Sequence, residues 1–195
     1  MPAALPNWAA MTDLYLVRHG ATEWSIAGRH TGTTDLPLLP EGEDTARALT
    51  ERLRDADFGL VLTSPRQRAR RTAELAGFPD AVVDDDLAEW DYGDYEGVTT
   101  EAIREKDPGW TIWSGVTPGG ETPEQVGDRL DRVIERVRAT HGDALVFGHG
   151  HALRALAARW LGLPVAEGRL LKLDTATLSV LGFEREQPVV LRWNS

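Results

Sequence analysis

The sequence predicts an α/β fold: a three-layer sandwich with a mostly parallel central sheet and helices on both faces. Short apolar runs bounded by turn residues recur along the 195 residues, and several segments between them carry helical apolar stripes. Strands that alternate with helices form one sheet covered on two sides. The polar residues fall in a telling place as well. Arg18-His19-Gly20 follows the apolar run Leu14-Tyr15-Leu16-Val17, and His149 follows Ala144–Phe147 with only Gly148 between. In open α/β sheets, ligands sit beyond the carboxyl ends of the strands.

Residues 1–12 read as a disordered extension, because they hold prolines and small residues without a basic or continuous apolar stretch. Residues 13–195 read as one catalytic domain. Leu14–Val17 is the first strand, and 21–40 is a long polar loop of the kind that carries function. Ala46, Leu49, Leu53 and Ala56 make one face of a helix near 41–56. Leu60–Leu62 is the next strand, after which Ser64 reads as an N-cap and Pro65 as the first residue of a helix reaching Ala76. Ala81–Val83 is a short strand. A loop holding Glu89-Trp90-Asp91-Tyr92-Gly93 follows, then an irregular stretch at 98–121 with one short helix near 99–106. Thr122-Pro123-Glu124-Gln125 reads as a capping box for a helix buried through Val126, Leu130, Val133, Ile134 and Val137, and ended by His141-Gly142. After the Ala144–Phe147 strand come a helix at Ala152–Leu161 and three strands, Leu170–Leu173, Thr177–Phe183 and Pro188–Trp193, the last two as a hairpin.

Hydrophobic content of 42% and charged content of 27% are those of a water-soluble domain. No apolar run approaches 18 residues, so no membrane span or membrane partner is expected, and the cytoplasm is the expected location. The chain has no cysteine, which excludes disulfides and thiolate metal sites. A formal charge of −10 argues against nucleic acid, whose binding needs a broad basic face. A few arginines can still build a positive pocket for a small anion.

Four segments bring polar residues to strand ends: Arg18 with His19, Ser64 through Arg68, Glu89, and His149 through Arg154. Planar, permanently charged guanidinium groups suit a phosphoryl group. Imidazole suits nucleophilic attack, and a carboxyl group suits proton transfer to a leaving oxygen. Together these residues read as phosphoryl transfer by way of a phosphohistidine. A metal pair at His149-x-His151 is the competing reading. It lacks a carboxylate at ligand spacing, and the nearby arginines would repel a cation, so no metal and no other cofactor is expected.

Leu16-Val17-Arg18-His19-Gly20-x-Thr22, Ser64-Pro65-x-x-Arg68-Ala69-x-x-Thr72, Glu89-x-x-x-Gly93-x-x-Glu96-Gly97 and His149-Gly150-x-x-x-Arg154 resemble, in order, the motifs of the histidine phosphatase superfamily, the phosphoglycerate mutase-like group. The resemblance implies that fold and a set of roles. His19 would be the nucleophile, with Arg18, Arg68 and His149 on the phosphoryl oxygens. Glu89 would be the acid and then the base. Thr31 and Gly32 match positions at the substrate mouth. The stretches 22–25, 30–38 and 84–97 are similar to sugar bisphosphatases acting on sedoheptulose bisphosphate, where the positions of His30, Tyr92, Gly150 and Arg154 also face substrate. Broad-specificity acid phosphatases share the Glu89–Gly93 run. Ser25 stands where mutases have an asparagine that touches the phosphoryl group, and Trp90 where they have arginine.

The expected activity is therefore a metal-independent phosphomonoesterase acting on a small phosphorylated substrate, a sugar phosphate or bisphosphate. A phosphoglycerate mutase and a non-catalytic phosphate-binding protein are the alternatives. A homodimer is compatible with the sequence but not specified by it. Arg66, Arg70 and Arg71 read as a solvated helix face, and Trp90 as a pocket wall.

Overall fold

Six strands form one sheet in the order β3-β2-β4-β1-β5-β6. The computed structural model describes residues 11–195. Its strands are β1 (Leu14–Arg18), β2 (Phe58–Thr63), β3 (Val82–Val83), β4 (Asp143–Gly148), β5 (Leu178–Glu184) and β6 (Gln187–Arg192). β3, β2, β4 and β1 are parallel, while β5 and β6 close the far edge as an antiparallel hairpin. The helices are α1 (Glu23–Ile26), α2 (Pro40–Leu53), α3 (Gln67–Leu75), α4 (Thr100–Arg104), α5 (Pro123–Arg138) and α6 (Gly150–Trp160).

Alternation along the strands sorts the core into two layers. Leu14 and Leu16 of β1, with Ala144 and Val146 of β4, pack on Val126, Leu130, Val133 and Val137 of α5 and Leu156 and Trp160 of α6. Val17, Leu145 and Phe147 turn the other way, onto Leu49 and Leu53 of α2 and Ala73 of α3. The three-layer expectation holds. Among the described residues no helix is long and apolar enough to cross a membrane.

Residues 1–10 of the extension expected at 1–12 lie outside the described residues. Thr12 is buried, with its hydroxyl on the Thr140 carbonyl. Four local expectations need correction. Leu170–Leu173 is not a strand: a 3-10 turn at Val165–Leu170 leads into irregular chain. Two arginine side chains take carbonyls there, Arg154 Nε that of Gly168 (3.0 Å) and Arg18 Nη1 that of Leu173 (2.6 Å). Ser64 is not the N-cap of α3: its Oγ accepts the Arg66 N–H at 3.3 Å, but Pro65 and Arg66 form a bend and Arg66 is the residue that precedes the helix. The helix starts at Gln67, whose N–H is met by Asp35 Oδ1 at 2.8 Å. The 21–40 loop also holds the short helix α1, opened by a capping box between Thr22 and Ser25. α5 does have the expected Thr122–Gln125 capping box, but it ends at Arg138, ahead of His141.

Candidate active site

Strand register builds the floor of the site. Arg18 is paired with Gly148 across β1 and β4, and Thr63 with Phe147 across β2 and β4. His19, His149 and Ser64 therefore leave three adjacent strands at one level. The His19 N–H bonds the Gly148 carbonyl at 3.0 Å. The two imidazole centroids lie 5.2 Å apart. Gly20 lets the start of α2 pack against the chain beside His19, since a Cβ there would meet the Gly42 carbonyl at 2.3 Å.

His19 Nδ1 is 2.7 Å from the Gly20 carbonyl, which can only accept, so the ring proton sits on Nδ1 and Nε2 keeps its lone pair. Burial, then Arg18 and Arg68, push the His19 imidazole well below its ordinary value, so it is neutral at physiological pH. His149 is held the same way by burial and Arg68. Its Nδ1 accepts from Arg68 Nε at 3.2 Å, and its Nε2 therefore donates to Ser64 Oγ at 2.6 Å. Arg68 also donates to the carbonyls of Thr34 and Thr31, both at 2.9 Å. Arg68 and His149 are wholly buried behind His19.

Glu89 arrives on the loop after β3. Its Oε1 accepts the N–H groups of Trp90 (2.9 Å) and Ala152 (2.8 Å), and its Oε2 accepts that of His151 (3.0 Å). The carboxyl group thus sits on the first turn of α6. Arg129 of α5 clamps the loop, donating to the carbonyls of Asp86 and Ala88, both at 2.7 Å. Arg129 also pairs with Glu121 at 2.8 Å, and Glu121 in turn takes the Asp91 N–H and, through its carbonyl, Trp90 Nε1. The chain on both sides of Glu89 is fixed.

A cavity of ≈ 190 Å³ opens above this floor. Arg18, His19, Ser25, His30, Thr31, Glu89, Tyr92, Gly150 and Arg154 line it, joined by Arg29, Thr100, His151 and Leu173. Gly32 does not. Its N–H is tied to Glu96 at 2.9 Å, and a Cβ would strike the Trp90 carbonyl at 2.4 Å. The Ser25 hydroxyl is already engaged with Thr22 N–H and carbonyl in the α1 cap. Gly150 makes room for the Arg18 guanidinium, 3.3 Å from where a Cβ would stand. Arg154 lies 4.7 Å over the Trp113 ring. Trp90 is core and not wall; Trp113 packs edge-on against it and against His151. Of the arginines expected on a solvated helix face, Arg70 is exposed and Arg71 pairs with Glu43 and Glu74. Arg66 is half-buried, with an unpartnered Nε, and its charge helps hold His149 neutral. Sequence reasoning missed Ser64 as a partner of His149, His151, Arg129 and Glu121. Ser64 stood in a motif but was assigned to a helix cap.

A neutral imidazole with a free Nε2, guanidinium groups and one carboxyl group in a small cavity can transfer a phosphoryl group. Residues 14–195 match the family model described as histidine phosphatase superfamily (branch 1). The chain belongs to that superfamily. This histidine phosphatase is 42% identical over 175 residues to an acid phosphatase of Mycobacterium tuberculosis, covering 88% of this chain and 86% of the relative. It is 43% identical over 183 residues to sedoheptulose 1,7-bisphosphatase of Saccharomyces cerevisiae, covering 77% and 68% of the two chains. Its fold superposes with a TM-score of 0.90 on the solved structure of the Mycobacterium tuberculosis open reading frame Rv3214, at 40% identity, covering 94% of this chain and 97% of the other. The histidine phosphatase is accordingly an enzyme, a phosphatase, as the motifs implied.

Proposed function

We propose that this phosphatase hydrolyses small phosphorylated metabolites, sugar phosphates or bisphosphates, through a phosphohistidine on His19 and without a metal ion. The observation that carries the reading is the fixed His19 tautomer: Nδ1–H held by the Gly20 carbonyl and Nε2 free beside Arg18. Nε2 attacks phosphorus, the ester P–O bond breaks, and the leaving oxygen takes a proton from Glu89. Glu89 then removes a proton from water, whose oxygen attacks phosphorus and breaks the P–N bond. Inorganic phosphate leaves and His19 is restored. Arg18, which lines the cavity, stabilises the phosphoryl charge directly and the buried Arg68 through its field, in place of a cation, which the same arginines would repel. His149 takes part by turning its Nε2–H from Ser64 Oγ to a phosphoryl oxygen. The 98–121 stretch brings no cation to the cavity. Thr100 is its only lining residue, and Arg104 is spent on the Trp110 carbonyl at 2.8 Å. That favours water over a second substrate alcohol as acceptor.

Acid quench after reaction with a labelled sugar bisphosphate tests the covalent step. Wild type should trap acid-labile label and His19→Ala none. Undiminished turnover by His19→Ala would end the reading. A sugar bisphosphate should also outperform 3-phosphoglycerate. Equal turnover of simple phosphomonoesters would move the enzyme to broad specificity.

A further inference from the structure

The outer wall of the cavity holds two histidines whose ring protons are placed by the protein. Tyr92 Oη and His151 Nδ1 are 2.6 Å apart. The phenol is the better donor and the imidazole nitrogen the better acceptor, so the proton lies on the phenol side and His151 carries its own proton on Nε2. Burial keeps both groups neutral, raising the phenol and lowering the imidazole. Across from it, His30 Nδ1 is 2.7 Å from the Val98 carbonyl. A carbonyl only accepts, so His30 keeps its proton on Nδ1 and a lone pair on Nε2. The two rings stack 6.1 Å apart at an interplanar angle of 21°. Each is backed by an indole, His30 by Trp110 at 5.4 Å and His151 by Trp113 at 5.3 Å. Neither Nε2 has a partner among the described residues, and both rings line the cavity that His19 and Glu89 share.

We propose that His151 and His30 are a donor–acceptor pair that reads two adjacent hydroxyl groups of the phosphate ester, one accepting from His151 Nε2–H and its neighbour donating to His30 Nε2. The inference rests on the phosphatase reading above and names the substrate class, a polyol phosphate with a vicinal diol. A diol has both a donor and an acceptor to offer, so it satisfies both nitrogens at once. A plain alkyl chain satisfies neither, and it strips water from two polar groups without replacing the hydrogen bonds. Tyr92 is a positioning residue here: it sets the proton of His151.

The test compares glycerol 1-phosphate with n-propyl phosphate, which share a primary alkoxide leaving group and differ in the diol. Wild type should prefer glycerol 1-phosphate in kcat/KM. His151→Asn keeps an amide oxygen near the Nδ1 position for Tyr92 but has nothing at Nε2. It should lose about tenfold more on glycerol 1-phosphate than on propyl phosphate, the worth of one hydrogen bond. His151→Gln, which returns an amide N–H near the Nε2 position, should recover part of that preference. His30→Asn keeps a donor for Val98, removes the lone pair and should show the same selective loss. Equal turnover of the two esters by wild type overturns the proposal. So does an equal loss on both in the variants, which marks the histidines as structural. Failure of wild type on both esters and on p-nitrophenyl phosphate would instead overturn the phosphatase reading itself.

Discussion

The floor of the cavity and its outer wall are built on different principles. The floor comes from three neighbouring parallel strands, so Arg18, His19, Ser64 and His149 are placed by backbone register alone. The wall joins the first turn of α6, which carries His151, to loops far from it in sequence, and its Tyr92–His151 contact joins residues 59 positions apart. The floor is buried and cationic, and in the proposed reaction it handles the phosphoryl group common to all substrates. The wall is aromatic and hydrogen-bonded through neutral rings, and in the proposal it meets the variable part. That reaction ties chemistry to the rigid sheet, and selectivity to a helix turn and loops that can change without moving the sheet.

The sharpest test of that division is His19→Ala. It should lose at least about a thousandfold in rate, by the same factor for every ester, because a covalent route disappears. A factor that varies with the leaving group would break the distinction. Glu89 stands between the two regions. Glu89→Gln should slow the burst phase of a sugar phosphate roughly a hundred- to ten-thousandfold, the range for general acid catalysis. The burst with p-nitrophenyl phosphate should slow much less, since its phenolate leaves with little help. Equal slowing of both would show that the proton comes from elsewhere.

A third expectation concerns the loop that carries Glu89. Arg129→Met removes the clamp: the Asp86 and Ala88 carbonyls lose their donor, and Glu121, a quarter exposed, loses its pair but keeps the Asp91 N–H. Urea unfolding should show a loss of about 2 kcal/mol, the cost of leaving polar groups unmet, and kcat for sugar phosphates should fall further than kcat for p-nitrophenyl phosphate. Unchanged stability would mean that the loop holds itself.

Acidification acts on floor and wall together. His19, His149, His151 and His30 all have folded-state values below the ordinary histidine range. Below about pH 6.5 the unfolded chain takes up protons that the folded chain refuses, so stability is full above that pH and falls as pH drops toward the folded values. The slope is up to about 1.4 kcal/mol per pH unit for each histidine, read from melting temperatures between pH 7.5 and 5. Above the unfolding range the His19 nucleophile should stay unprotonated, so the phosphoenzyme burst should not titrate away near pH 6.5. The smallest effect is expected from chelation: EDTA should leave the rate unchanged. A loss restored by zinc would revive the pairing of His149 with His151 as ligands.

How much was legible follows the same line. Arg18 and His19 could be read because an apolar run that ends in charge announces a strand terminus. The capping box at Thr122 could be read because its partner, Gln125, is three residues away. Ser64 reads as a cap because Ser-Pro before a helix is a strong local signal; the helix starts two residues beyond Pro65, at Gln67, and the partner of the Ser64 hydroxyl, His149, is remote in sequence. Leu170–Leu173 looked like a strand because the arginines that take nearby carbonyls are remote in sequence. His151 reads as half of a metal pair and not as a partner of Tyr92, because Tyr92 comes from a loop 59 positions away. Arg129 carried no signal, because a clamp on backbone carbonyls needs no particular residue type opposite it.

One detail of the acid's seat has a spectroscopic use. The Glu89 carboxylate holds the amide protons of His151 and Ala152, at 3.0 and 2.8 Å. Any proton that Glu89 gains or gives up alters the charge on which those two amides rest. In a nitrogen-15 labelled sample, their two peaks form a built-in indicator of the carboxyl group. They should shift together when phosphate or vanadate fills the cavity, without a label on the ligand. The histidine phosphatase thus reports its own proton inventory through the first turn of a helix.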